Sequence, residues 1–411
     1  MQIRVRDPTA IRALAAQALT LALAAALIAF AVLADRAWLY RHTLPEFFQP
    51  RADQLRTLAI VRTLAGSLAA ILLLVVRPRF GRLMARKRFG DLAADLAPTA
   101  AAIVLALVAS ELILEHLPWR LTHQAPGQRE PLRRRDPYLG WSYVPNHAGQ
   151  GVLGGRAVDY AFDAAGHRIR RAGEAVDYGA PSILFLGESI MAGHGLTWSE
   201  SIPAQVQAAT GLQGADLAVG GYATDQQYLR LKAELPRFRQ PRAVVFLFMP
   251  ALYHRNLDTD RPHLVPGLAW RPSASDLRLR QLASRLVPYR SARELADGEA
   301  MTAQTLAAAV DLARARGAVP LILVPQLTPE TAEEAALRRR LLDARRLPYL
   351  QVAVDPAFHI PHDRHPDPRG ARAIAGAVTA WLRRQGVAPP VARGLQETAP
   401  AALATGRRPR T

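Results

Sequence analysis

The chain has 411 residues, no cysteine and a formal net charge of +18, with 52 Lys and Arg against 34 Asp and Glu. The lack of cysteine excludes disulfides, thiolate metal sites and cysteine nucleophiles. The length suffices for more than one domain, and the basic balance leaves nucleic acid, anionic lipid headgroups or an acidic polymer as partner classes. Much of the positive excess flanks apolar stretches, and the Arg clusters lack aromatic interleaving. Lipid is therefore the expected partner and nucleic acid is not.

Three apolar stretches come first. Ala13 to Ala34 carries no charge, Thr57 to Val76 is interrupted only by Arg62, and Leu96 to Leu114 only by Glu111. Such lengths cross a hydrocarbon core about 30 Å thick. They predict an N-terminal three-helix transmembrane part over residues 1–117, with spans near 13–34, 57–76 and 96–116. A cleaved signal peptide is the rival for the first stretch, but its run is longer than a usual h-region and Ala34-Asp35-Arg36 is a poor cleavage site. Arg4, Arg6 and Arg12, with Arg77, Arg79, Arg82, Arg86, Lys87 and Arg88, share one side of such a topology. Arg36, Arg41, Arg51, Arg56, Arg120 and Arg129 share the other. Nine against six favours the N-terminus inside and the long C-terminal part outside the cell membrane.

Residues 118–180 are rich in Pro, Gly and Arg and read as a linker and small β-containing segment. From 181 to 386 short apolar runs alternate with helical patterns. Strands are expected at Ile183–Leu186, Ala215–Val219, Ala243–Phe248, Val319–Val324 and Leu350–Val354. Helices are expected at Ser199–Thr210, Asp225–Leu235, Met301–Arg316, Pro329–Arg345 and Pro368–Arg384. Near-continuous apolar strands separated by helices imply a parallel sheet covered on both faces. Asp225 reads as an N-cap, and Gly317 and Gly386 as helix stops. Leu257 to Gly298 breaks the alternation and reads as an insertion over the site, either a lid or a loop without fixed structure. Residues 387–411 read as a disordered tail.

Two segments carry the chemistry. The run Ile183-Leu184-Phe185-Leu186 ends in Gly187-Glu188-Ser189, and His362-Asp363-Arg364-His365 follows the last expected strand. Ligands of open α/β sheets bind beyond the carboxyl ends of the strands. Ser189, Asp363 and His365 are thus the candidate catalytic triad, with nucleophile, acid that orients, and base. Ser189 read alone could equally be a strand-to-helix cap. The Ser189 backbone N–H is a candidate oxyanion donor, and Gly221 after the second strand is another. His194, His359 and His362 could pair with Asp355 and Asp363 around a metal, but no spacing demands it, and no metal or other cofactor is expected. Trp141, Tyr143 and Tyr160 suit either core packing or a sugar-binding surface.

Residues 136–386 resemble the SGNH/GDSL hydrolase superfamily. The stretch from Ile183 to Ser189 resembles its first block, with Glu188 where aspartate is commoner. Ala215 to Leu231 resembles the second, with Asp216 in the asparagine position and Gly221 as the block glycine. His362 to Gly370 resembles the last, and Arg135 to Asn146 with Phe162 to Arg170 resembles the leader of membrane-attached bacterial members. The resemblance implies a flavodoxin-like three-layer α/β/α domain and ester chemistry on carbohydrate or lipid. One departure stands out. The family's third block supplies an asparagine to the oxyanion, and Ala251 falls at that position. Either His254 or Asn256 replaces it, or the enzyme is slow, or the site is inactive. Asn256 could equally cap a helix.

The expectation is a membrane-anchored, outward-facing serine esterase or O-acyltransferase acting on ester-linked acyl groups of cell-envelope carbohydrate or lipid. A transferase would need a membrane partner as acyl donor. The competing expectation is a catalytically impaired module that binds envelope glycan or a partner protein.

Overall fold

The computed structural model describes residues 8–42, 51–86, 89–116, 132–273, 279 and 291–388. The helical part comprises α1 (Pro8–Leu33), α2 (Arg36–His42), α3 (Arg51–Ile71), a π-helical turn (Leu72–Val76), α4 (Arg77–Arg86) and α5 (Phe89–His116). Among the described residues, two stretches are long and apolar enough to cross a membrane, Ala13–Leu33 and Gln54–Leu83. The third expected span falls on α5, whose apolar run is the shorter Ala100–Leu114. Ala16, Thr20 and Ala24 recur every fourth residue and are buried, as are Ala65 and Ala69 on α3. Small side chains let apolar helices approach closely, the pattern that packs helices in lipid. Leu14, Leu19, Leu23, Ile60, Leu64 and Leu68 stay exposed. Arg62, the one charge in its stretch, donates from Nε to the Ala31 carbonyl at 2.6 Å. The Glu111 carboxylate accepts the Leu279 N–H at 2.9 Å.

The remainder is a mixed α/β domain on one eight-stranded sheet. In chain order come β1 (Arg133–Asp136), β2 (Gly140–Tyr143), β3 (Ala148–Leu153), β4 (Arg156–Phe162), β5 (Arg168–Ile169), β6 (Pro181–Leu186), α6 (Ile202–Thr210), β7 (Gln213–Asp216), α7 (Thr224–Glu234) and β8 (Gln240–Leu247). Next are β9 (His263–Val265), β10 (Ala269–Arg271), α8 (Ala292–Ala315), β11 (Val319–Gln326), α9 (Ala332–Leu341), β12 (Tyr349–Ala353) and α10 (Pro368–Arg384). The sheet order is β12-β11-β8-β6-β7-β5-β4-β3. From β12 to β7 every pairing is parallel, while β5, β4 and β3 continue the sheet antiparallel. The five parallel strands, taken in chain order, lie 2-1-3-4-5, the flavodoxin-like arrangement. Residues 148–169, expected to lead into the domain, instead extend its sheet.

Side chains of successive strand residues point to opposite faces. Ile183, Phe185, Val245 and Leu247 pack with Ile202 and Val206 of α6 and with Ile374, Val378 and Leu382 of α10. Leu184, Leu186, Val244 and Phe246 pack with Leu231, Leu306, Val310 and Leu337 on the other face, under α7, α8 and α9. That alternation makes the three layers. α10 starts at the expected residue because the Asp367 carboxylate accepts the Arg369 and Gly370 N–H groups at 2.8 and 3.0 Å and Pro368 occupies the first turn. Gly317 and Gly386 follow their helices with φ of +71° and +70°, the left-handed stop that glycine adopts freely.

Two further expectations differ. α8 begins at Ala292, nine residues before the expected Met301, because Ser291 and Glu294 form a reciprocal capping box. Asp225 is not an N-cap: that position is Ala223, and Asp225 is fully buried inside the first turn. Its carboxylate takes Arg261 through two 2.9 Å bonds and the Leu264 N–H at 3.2 Å. Within the expected insertion, this pair ties the β9–β10 hairpin to α7; residues 274–278 and 280–290 lie outside the described residues, as does 389–411 of the expected tail.

Removing one partner of such a buried pair leaves an uncompensated charge. Arg261→Met should lower unfolding free energy by about 3–5 kcal/mol, and adding Asp225→Asn should restore part of the loss. Urea unfolding in detergent, followed by tryptophan fluorescence, measures both.

Candidate active site

Gly187 follows β6 where the chain must turn at once. A Cβ there would lie 2.5 Å from that of Met191. The Ala192 and His194 N–H groups close the turn on the Glu188 and Ser189 carbonyls at 2.9 Å each. The turn carries Ser189, 7 % exposed, just beyond the carboxyl end of the central strand. Arg168, fully buried, holds the turn from behind, donating to the carbonyls of Ala192, Gly193 and Leu196 at 2.6, 3.0 and 2.6 Å.

The loop after β12 supplies the partners. β12 lies at the sheet edge, so the loop crosses the strand ends to reach the centre. The Ile360 side chain fills the space beside Gly154 and Gly195. His362 turns the chain with φ +61°, a left-handed conformation uncommon outside glycine. His365 Nε2 lies 2.7 Å from Ser189 Oγ, and His365 Nδ1 lies 2.5 Å from Asp363 Oδ1. An ionised carboxylate only accepts, so Nδ1 carries the proton and Nε2 accepts from the serine. Burial opposes the charge on Asp363, but the hydrogen bond and charge of His365, with two backbone N–H groups, hold its carboxyl below the usual range. The structure thus brings Ser189, His365 and Asp363 into one hydrogen-bonded chain.

Glu188 and Arg255 enter this site unexpected. Ser189 Oγ also donates to Glu188 Oε2, so the hydroxyl has two acceptors for one proton. Glu188 is buried, its Oε1 accepts the Ile190 N–H at 3.0 Å, and Arg255 Nη1 lies 3.7 Å behind its Oε2. His194 flanks His365, with ring centroids 5.9 Å apart. Burial, then the charges of His365, Arg133 and Arg168, push His194 down to about 3, so it stays neutral.

The loop after β7 is stitched to the nucleophile turn by the Val219 N–H, which donates to the Gly187 carbonyl at 3.2 Å. Gly221 sits there at φ +85°, where a side chain would strain the backbone. Ser189 and Gly221 are both buried, and among the described residues neither the Ser189 nor the Gly221 N–H has a hydrogen-bond acceptor. Asn256 lies elsewhere. Its amide donates to Thr224 Oγ1 and Thr302 Oγ1 at 2.6 and 2.7 Å, and its oxygen accepts the Asp225 N–H at 3.2 Å. It ties α7 to α8 and has no donor left for an oxyanion. His254 is half-buried on the same 3₁₀ segment. Ala251 is the second residue of that segment, Pro250–Leu257. Among the described residues no three His, Asp or Glu side chains are grouped to hold a metal ion. Trp141, Tyr143 and Tyr160 are buried and form no exposed sugar-binding surface.

The chain is similar to solved structures of GDSL-type proteins. A G-D-S-L family lipolytic protein of Desulfitobacterium hafniense matches at 12% identity over 49% of this chain and 98% of its own, with TM-score 0.32. An acetyl xylan esterase of the rumen bacterium Butyrivibrio proteoclasticus matches at 12% over 52% of this chain and 67% of its own, with TM-score 0.32. A salicylyl-acyltransferase from a tetracycline biosynthetic pathway matches at 14% over 53% and 58%, with TM-score 0.30. No family model matches the sequence. No curated protein matches it either.

Asp216, expected in the asparagine position of the second block, is fully buried with Oδ1 on the Ala218 N–H at 3.0 Å and Oδ2 unpartnered. Burial raises its pKa from 3.8 to about 7 against the opposing pull of Arg168. Folding therefore takes up a proton between those values, and the stabilising contribution is lost as pH rises through about 7. Asp216→Asn should match wild-type stability near pH 4 and exceed it by up to about 4 kcal/mol at pH 8. Unfolding curves of both proteins across that range give the comparison.

Proposed function

We propose that the protein is an SGNH-type serine esterase or O-acyltransferase, anchored in the cell membrane, acting on ester-linked acyl groups of envelope carbohydrate or lipid. The observation that carries the reading is the Ser189–His365–Asp363 chain, with contacts of 2.7 and 2.5 Å, at the carboxyl edge of a parallel sheet. Ser189 Oγ attacks the acyl carbonyl while His365 Nε2 takes its proton, and Asp363 stabilises the imidazolium. The carbonyl electrons move onto oxygen, where the Ser189 and Gly221 N–H groups receive them. Collapse expels the alcohol, which takes the proton from His365. Water then releases the acid, or an acceptor hydroxyl takes the acyl group, with His365 again as base. Glu188 holds the serine hydroxyl between attacks.

A second reading is favoured by Asn256: with its amide committed to Thr224 and Thr302, the oxyanion is left to backbone donors alone. In that reading the domain binds an envelope glycan or a partner protein and turns over slowly or not at all. A fluorophosphonate probe reacts only with an activated serine and separates the two. Wild type should be labelled, and Ser189→Ala should lose both the label and turnover of a short-chain aryl ester while its folding is unchanged. Equal turnover in wild type and Ser189→Ala discards the triad assignment.

The outward orientation rests on the arginine bias and on α5 spanning as a third helix. With two spans the domain would share the side of the N-terminus. An alkaline phosphatase fused at the C-terminus should be active, and one inserted between Arg77 and Arg88 inactive. The reverse pattern puts the domain in the cytoplasm.

A further inference from the structure

We infer that the β1–β2 hairpin is the positioning element for the oxyanion donor at Gly221, acting through Arg133 and Trp141; this rests on the esterase reading above. In the antiparallel hairpin Arg133 lies opposite Tyr143, and Trp141 is two residues from Tyr143. Directly opposed residues and residues two apart share a face, so all three side chains leave the hairpin together. All three end on one residue. Arg133 Nη1 and Trp141 Nε1 donate to the Gly220 carbonyl at 2.8 and 3.0 Å, and the Gly220 N–H donates to Tyr143 Oη at 3.3 Å. From another side the His194 ring closes on Gly220, where an added Cβ would meet it at 2.9 Å.

The Gly220 carbonyl and the Gly221 N–H belong to one planar, trans peptide and point in opposite directions. With the oxygen drawn to Arg133 and Trp141, the Gly221 N–H faces away from the hairpin. Among the described residues it has no acceptor there. Glycine on both sides of this peptide leaves its orientation soft, because no Cβ restricts rotation of the plane. The two donors remove that freedom before substrate arrives. Arg133 adds charge: a cationic donor on the carbonyl polarises the peptide and makes its N–H a stronger donor. A preorganised donor is worth more than one that must turn during reaction. In a site whose third-block amide is spent on helix packing, these two effects fall on one of the few donors left.

The test uses the full-length protein in detergent, a short-chain aryl ester, and an alkyl trifluoromethyl ketone, whose serine adduct carries the same oxyanion. Arg133→Gln and Trp141→Phe should each lower kcat about 10- to 100-fold, part of the effect of losing an oxyanion donor outright, with KM changed less than about 3-fold. The inhibition constant of the ketone should rise by the same factor as kcat falls. Arg133→Lys should recover most of the rate. Melting temperature should change little for the half-exposed Arg133, so a folding defect in Trp141→Phe would not obscure the result. Wild-type kcat in Arg133→Gln overturns the inference, as does a fall in kcat without weaker ketone binding. If wild type itself lacks turnover dependent on Ser189, the esterase reading fails and takes this role with it.

Discussion

Parallel pairing from β7 to β12 is the constraint on which the site depends. It puts the carboxyl ends of five strands on one edge, and every side chain of the site hangs from a loop at that edge. Ser189 follows β6 and the Gly220-Gly221 loop follows β7, its direct neighbour, while Arg255 follows β8 on the other side. Proximity of these three is given by strand order alone. Asp363 and His365 are different. They follow the outermost strand, and only the crossing of the 354–367 loop, seated by Ile360 against Gly154 and Gly195, brings them to the centre. The 176-residue link between Ser189 and His365 is therefore as secure as that loop's seat.

The antiparallel half of the sheet does more than cover an edge. Arg168 on β5 grips three carbonyls of the nucleophile turn, and the β1–β2 hairpin grips the peptide after β7. Both devices set cations against neutral carbonyls, Arg168 buried and Arg133 half-exposed. Burial lowers the pKa of Arg168, the Tyr160 ring lies 4.5 Å from its guanidinium carbon, and Asp216 is its cross-strand partner in the β5–β7 pairing. A buried arginine with several carbonyl partners is costly to desolvate, and its geometry is correspondingly fixed. Rigidity at the two backbone turns is what this arrangement gives the site.

The parallel strands were legible in the sequence because each is a short apolar run between helices, and the meeting of Ser189, Asp363 and His365 because all three follow such runs. The seam between the two halves of the sheet was not. Arg133, Asp163, Arg168 and Arg170 give residues 132–170 the composition of a surface segment, and a charged residue that is buried by carbonyl partners looks, in one dimension, like a solvated one. Asp225 failed for a related reason: its type favours caps, and only the fold shows that Arg261 takes it. Asn256, open to a cap or an oxyanion role, accepts the first-turn Asp225 N–H of α7 and gives its amide to Thr224 and Thr302. The one available hint to the hairpin was the alternation Trp141-x-Tyr143 beside a run of arginines, which marks a shared face once pairing is assumed.

The hairpin also determines where the protein can be divided. Arg133 opens β1, and the Leu132 carbonyl accepts the Val144 N–H at 3.0 Å, so among the described residues the domain's contacts begin at Leu132. A fragment started at the first parallel strand would bare the free edge of β7 and leave the nucleophile turn without Arg168. One started at Tyr138 would keep the whole eight-stranded sheet yet lose Arg133 and the strand that presents it. Excision of the helices for crystallography or enzymology therefore has a boundary set by the clamp on Gly220 rather than by the sheet.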